Sequence, residues 1–400
     1  MAINDVTRNL GPSASQSHTS EAIGHAEDYT DIVTNIDPDM TMLLSRFGTA
    51  ANATTLKFGW MTEGLEPPQV NAQLEKHDYT SRKLGSMRAA ENHIQFFEKS
   101  GYVTEAQRKV AKIYKPEDEK VRLLERVSKQ LARDMEYALV TNSTSSAENG
   151  SNPAITGGVP YFLKSKTISC SLKTDDGVVT TTEAHYLKTG EFVYFNATTM
   201  PTGLKAQELY YVRLDDSTPA TKFTIYNTMD GAIRGTAADQ VKPSTAGTGL
   251  VIELNNIVDL GGATDYTLDD LNSAMEMAFN RGGNPTIAVM SPQKKRAFSK
   301  LITAATTINR GMKADRKLDL VATTIETDYG VITAESHRMY PKNRIDLFDM
   351  YYWDVKWFDR VHEVTNLPNK GTYTEFVLAA AFGLQGTQPL ASSAILNIKM

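Results

Sequence analysis

The chain of 400 residues carries a single cysteine, Cys170. One thiol excludes an intrachain disulfide and is a poor start for a zinc site, so stability has to come from packing or association. No apolar run approaches the roughly 20 residues that cross a bilayer, and the N-terminus lacks the charged start and apolar core of a secretory signal. The expectation is a chain folded in a cytosol, with no membrane partner. Without such a signal, the Asn-x-Ser/Thr matches at Asn52, Asn142, Asn149 and Asn196 carry no glycosylation meaning. Basic charge is also short: 42 Lys and Arg against 47 Asp and Glu give a net charge of -5, and the basic residues are scattered rather than striped. Sequence-specific DNA or RNA readout is disfavoured.

Grouped catalytic residues are missing as well. There is no G-x-S-x-G elbow, H-E-x-x-H, phosphate-binding G-x-x-x-x-G-K-[ST], G-x-G-x-x-G or C-x-x-C. His18, His25, His77, His93, His185, His337 and His362 are widely spaced, and no two have the helix-face spacing of metal ligands. Asp37 and Asp39 in "NIDPDM" read as a turn before an apolar segment, and Asp269-Asp270 as first-turn helix acids. "YYWDVKWF", residues 351–358, reads as core or subunit interface rather than a sugar-stacking platform. Lys57 and Lys76 read as solvated. No enzyme, cofactor or metal is expected.

What is present is an order of parts. Residues 1–28 are rich in Ser, Asn, His and Thr and read as disordered alone. "IVTNIDPDMTMLLSRFG" then supplies an apolar anchor. "TTLKFGWMTEGLEPPQVNAQLEKHDY", residues 54–79, starts as a strand with Leu56, Phe58 and Trp60 on one face, then turns polar around Pro67-Pro68. "NHIQFFEKSGYV" is a second extended segment, with Ile94 and Phe96 expected on one face, able to pair with the first. A helix over 116–141 follows, with Pro116 at its first position and a stripe of Val121, Leu124, Val127, Leu131, Met135 and Ala138. "TNSTSSAENGSNPAITGG" has the composition of a linker. Residues 165–254 are Thr-rich short strands, which predicts a small β-sandwich or barrel inserted as its own unit. Helix and strand alternation returns after it: Thr267 caps one helix with Asp270 three residues on, "TIAVM" is a buried strand, and Ser291-Pro292 opens the next helix. The class is α+β.

That order resembles the major capsid proteins of tailed bacteriophages, which share the Johnson, or Hong Kong phage type, fold. Local wording is similar to one branch of the fold at residues 36–48, at Trp60, and at Leu65, Pro68, Asn71 and Glu75. It is also similar at "ITGGVPYFL", "RGGNPTIAVMSPQKKRAFSKL", "TDYGVITAESHRMYP" and "LFDMYYWDVKWF". The chain departs from the family at "PNKGTYTE", where Thr372 stands at an acidic position, and at "GLQGTQPLASS" after Phe382.

The resemblance implies an N-terminal arm (1–50), an extended loop hairpin (51–90), and a peripheral domain with the spine helix (91–164). The β-rich insertion (165–254), an axial domain (255–340) and return strands (341–400) complete it. It implies a structural subunit building pentamers and hexamers of an icosahedral head around double-stranded DNA, contacted non-specifically. A separate scaffolding protein, a portal and decoration proteins are the implied partners. Trp60, Glu63, Glu66, Pro67, Pro68, Asn71, Glu75 and Lys76 would contact a neighbouring subunit, and the insertion would project from the shell or brace adjacent subunits. Length supports the loop independently: about 13 residues from Thr54 to Pro67 extend up to roughly 40 Å, against a radius of gyration near 15 Å for a domain of about 150 residues. The alternatives are an encapsulin-like shell and a carbohydrate-binding virion adhesin.

Overall fold

A computed structural model describes residues 41–69, 71–79, 87–109, 119–215, 217–305, 324–364 and 371–399. The N-terminal tract to residue 40, the helix start at Pro116, and most of "PNKG" before Thr372 lie outside the described residues. Two open sheets, a closed barrel and a two-stranded hairpin make up the architecture. The first sheet orders its strands Gly48–Thr49, Trp353–Glu363, Tyr373–Gly386 and Gln95–Thr104. The second orders Ile257–Asp259, Ser393–Leu396, Ile345–Phe348, Ile287–Met290, Gly330–Ser336 and Thr324–Thr327.

The long helix, Glu119–Thr141, lies on the first sheet. Its stripe of Val127, Leu131, Met135 and Ala138 is buried and Leu124 is partly buried, as 3.6-residue periodicity requires of a helix covering a sheet. Val121 departs from the expected stripe, being 62% exposed. At that end of the helix Lys120 reaches Glu363 at 2.7 Å, so an ion pair rather than an apolar layer meets the strand end. Phe47 stacks on the fully buried Trp353 at 5.9 Å, and the Trp353 indole N–H donates to Ser392 Oγ at 2.9 Å.

One buried polar junction ties the segment after residue 40 to both sheets. Glu136, on the long helix, accepts the backbone N–H groups of Leu43 and Leu44, each at 2.8 Å. It also accepts from His337 Nε2 at 2.9 Å, while His337 Nδ1 accepts the Met339 N–H, which places a ring proton on Nε2. A carboxylate in this place answers donors that burial would otherwise leave unpaired.

The second sheet carries helices Leu268–Asn280 and Pro292–Ala305. Thr267 and Asp270 form a reciprocal capping box, and Ile287–Met290 is a central buried strand. Ser291 behaves differently from its expected capping role: its buried hydroxyl has no hydrogen-bond partner among the described residues.

Residues 167–253 close a six-stranded barrel, with Val251–Glu253 bonded to both Thr167–Lys173 and Phe192–Asn196. Closure removes free sheet edges, and Val179, Phe195, Val212, Phe223, Ile225 and Ile252 fill the interior. The barrel is seated rather than tethered. Tyr194 packs in the core of the second sheet and its hydroxyl meets Asn280 at 3.3 Å. The Arg281 guanidinium lies 5.3 Å from the centre of the Phe192 ring, and burial weakens its hold on its proton. Glu253 accepts from Ser165 Oγ, Lys166 N and Asn255 N, clasping the chain where it enters and leaves the barrel.

The stretch at 141–158, expected to be a linker, is irregular and exposed over 143–144 and 147–153 but pinned at its ends. Ser146 bridges to Ile155, Asn142 bonds Gln95 and the Thr156 carbonyl, and Thr156 is fully buried.

Candidate functional site

The two extended segments do pair, but with a shifted partition. Lys57–Thr62 runs antiparallel to Arg88–His93, in register Lys57 to His93 and Thr62 to Arg88. Gln95–Thr104 belongs to the first sheet, bonded to Tyr373–Gly386. Ile94 lies between the two strands and is fully buried, and Phe97 is buried too, so alternation slips there. Phe96 consequently faces outward, against the expectation that it shares the face of Ile94.

Phe58 anchors the hairpin base. It clusters with Ala53, Ile94 and Ala381, and a Cβ on Gly383 would stand 2.4 Å from its ring, so only glycine lets the ring lie on that strand. Trp60 stacks on Phe58 at 6.0 Å and meets Phe162 at 6.1 Å. Its buried indole N–H has no acceptor among the described residues. Leu56, expected beside Phe58 and Trp60, is half exposed because the strand begins only at Lys57.

Asn92, which gave no signal in the sequence, is the polar hub under the base. It is fully buried, its amide N–H groups donate to the carbonyls of Gly157 and Leu384, and its oxygen accepts from Gly157 N and Ser145 Oγ. This locks hairpin, first sheet and the connection after the long helix together.

Beyond Thr62 the chain leaves the ladder. Glu63, Glu66, Pro68, Asn71, Glu75 and Lys76 are exposed, and only Pro67 is half-buried. Leu65 is 96% exposed, Tyr79 is 94% exposed, and Leu74 is also bare. These apolar side chains stand on a segment that packs on no core of its own. The segment touches the rest of the chain on the barrel. Pro67 Cβ would lie 3.1 Å from a Cβ at Gly190, and Glu66 Oε1 is 3.9 Å from Lys188 Nζ. At the start of the returning strand, Arg88 donates to the Tyr186 carbonyl at 3.2 Å and lies over its ring at 5.9 Å.

A second group of exposed apolar side chains lies on the first sheet, on the face where Phe58 covers Ala381 and Gly383. Phe96 and Phe358 meet edge-on there at 6.2 Å, with Tyr102 and Val361 also exposed. Phe358 turns outward at a register shift between Trp357 and Asp359.

Little reactive chemistry lies nearby. Burial pushes the Cys170 thiol up to about 12, which leaves it protonated and inert as a nucleophile. Among the described residues no group of His, Cys, Asp and Glu is arranged to hold a metal ion, and no helix is long and apolar enough to cross a membrane.

Comparison with known proteins places this geometry. The family model described as SU10 major capsid protein matches residues 12–399. No curated protein sequence matches. Among solved structures, the chain is similar to the capsid of cyanophage A-1(L), at 11% identity and TM-score 0.55, covering 96% of this chain and 99% of that one. It is similar to the capsid of the native GTA particle at 9% identity and TM-score 0.53, covering 97% and 100%. A chain of Microbacterium phage Oxtober96 matches at 11% identity and TM-score 0.51, covering 96% and 100%. At these identities the likeness is one of fold.

Proposed function

The chain belongs to the SU10 major capsid protein family, and from that premise we propose that it assembles by laying residues 63–79 on a neighbouring copy. It is a major capsid protein of tailed phages. The carrying observation is the contrast within the hairpin: a base pinned by Phe58 and Asn92, and a distal segment with Leu65, Leu74 and Tyr79 bare. Ordering such a segment gains little within one subunit and more when a second surface covers it. The exposed side chains of Phe96, Tyr102 and Phe358 on the first sheet have the apolar character to receive it. Repeated head-to-tail contacts of this kind close into rings and shells.

In this reading the long helix is the spine of a peripheral domain, the second sheet belongs to an axial domain, and the barrel is an insertion between them. Subunits form pentamers and hexamers around double-stranded DNA, with a separate scaffolding protein, a portal and decoration proteins as partners. Contact with DNA is non-specific, in keeping with the net charge of -5. Trp60 serves mainly its own chain, while Glu63, Glu66, Pro67, Pro68, Asn71, Glu75 and Lys76 reach outward.

The test is charge reversal at Glu63, Glu66 and Glu75 together. The subunit should stay folded, and electron microscopy should find few closed particles. Normal particles from the triple variant would remove the hairpin from assembly.

A further inference from the structure

We propose that the barrel's 185–190 loop is a seat for the chain's own hairpin, holding residues 63–79 in position before a neighbour arrives. The proposal rests on the assembly role assigned to the hairpin. Its distal segment leaves the strand ladder at Thr62, so nothing in the two-stranded ladder fixes its direction. The seat supplies that direction through the Pro67 approach to Gly190, the Glu66 approach to Lys188 and the Arg88 contacts with Tyr186.

The seat is built to be stiff. Leu187 N donates to His185 Nδ1, Lys188 N to Glu191, and Gly190 N to the Val212 carbonyl at 2.8 Å. Burial lowers the pKa of His185, which keeps Nδ1 available as an acceptor. Tyr186 holds a left-handed φ of 55°, which turns its carbonyl and ring toward Arg88, and Gly190 has φ 92°. A residue other than glycine at 190 would be strained and would crowd Pro67.

Stiffness at the seat matters only if the barrel cannot swing. Tyr194 in the second core, Arg281 over Phe192, and the Glu253 clasp at both barrel connections all oppose swinging. Contact with the seat therefore fixes the hairpin relative to the whole subunit. A pre-positioned contact segment loses less conformational freedom on docking, which favours association without adding any contact to the neighbour.

The test uses the full chain as unassembled subunits, spin-labelled through Gln73→Cys on the hairpin and Lys205→Cys on the barrel, with the inter-label distance distribution read by pulsed dipolar spectroscopy and assembly of the unlabelled chain followed by light scattering. Tyr186→Gly removes the ring while suiting the left-handed backbone. Lys188→Glu turns the Glu66 contact repulsive, and Glu66→Lys with Lys188→Glu restores an attractive pair. Exposed contacts of these kinds are modest, so the distribution should broaden about twofold in Tyr186→Gly and Lys188→Glu, and the charge swap should narrow it again. Assembly of the two single variants should slow in step, with their thermal unfolding unchanged. An unchanged distribution in both single variants would overturn the seat, as would a broadened one with wild-type assembly. Failure of the assembly role itself would look different: the triple Glu63, Glu66 and Glu75 reversal would assemble normally whatever the barrel variants did.

Discussion

The barrel has a single short helix, Met229–Arg234, and the described residues of the hairpin tip have none, yet the two find their stabilising partners in opposite ways. The barrel closes on itself and fills its interior with Phe195, Phe223, Val212 and Ile225, so its stability is complete within one subunit. The described residues of 63–79 have no ladder and no core, and Leu65, Leu74 and Tyr79 face outward. Strand-like sequence therefore does not say where the stabilising partner is. Closure keeps it inside the chain, and an arm leaves it to the next one.

Substitutions should separate these two cases. The largest effect belongs to the barrel interior: Phe223→Ala should cost about 3–5 kcal/mol in urea unfolding of the subunit, through lost burial and the cavity left behind. Next comes the buried junction, where Glu136→Ala strands the N–H groups of Leu43 and Leu44 and that of His337. A loss of about 3 kcal/mol is expected, and Glu136→Gln should recover part of it. Leu65→Ser with Leu74→Ser should change subunit unfolding by less than about 0.5 kcal/mol, because both are solvent-exposed already. That pair should nonetheless reduce particle yield, and a subunit destabilised as strongly as by Phe223→Ala would break the comparison.

A pH measurement sharpens the barrel side. Burial raises the Glu253 carboxyl above its ordinary value of 4.5, against three hydrogen-bond donors that favour the charged form. The folded pKa thus exceeds the unfolded one. The stability this group contributes is full below the unfolded value and is lost as pH rises through the folded one. Relative to Glu253→Gln, the wild-type subunit should gain stability as pH falls from about 7 to about 4, measured by thermal unfolding. A difference independent of pH would contradict the buried clasp.

Much of this was legible in residue order because it rests on local periodicity. Val127, Leu131 and Met135 recur at helical spacing, Thr267 and Asp270 stand at capping-box spacing, and the short strands of the barrel announce themselves by turns. What periodicity missed was set by tertiary neighbours. Val121 fits the stripe but is left exposed at the helix end, where Lys120 pairs with Glu363, and Phe96 turns outward because Ile94 is consumed between two strands. Asn92 is held by hydrogen bonds to backbone far along the chain, and the polar connection at 141–158 by the Gln95 side chain, which composition does not encode. The seat at 185–190 was equally hidden, since Tyr186, Lys188 and Gly190 stand about a hundred residues or more from the Arg88, Glu66 and Pro67 they respectively meet.

Hydrogen–deuterium exchange over residues 63–79, compared between free subunits and closed particles of the wild-type chain, bears most directly on the assembly role. The expected result is a protection gain of at least about tenfold in these residues on assembly, with the barrel interior unchanged. Equal, fast exchange of 63–79 in both states would contradict it, because a segment that exchanges freely in the particle is not what holds one subunit to the next.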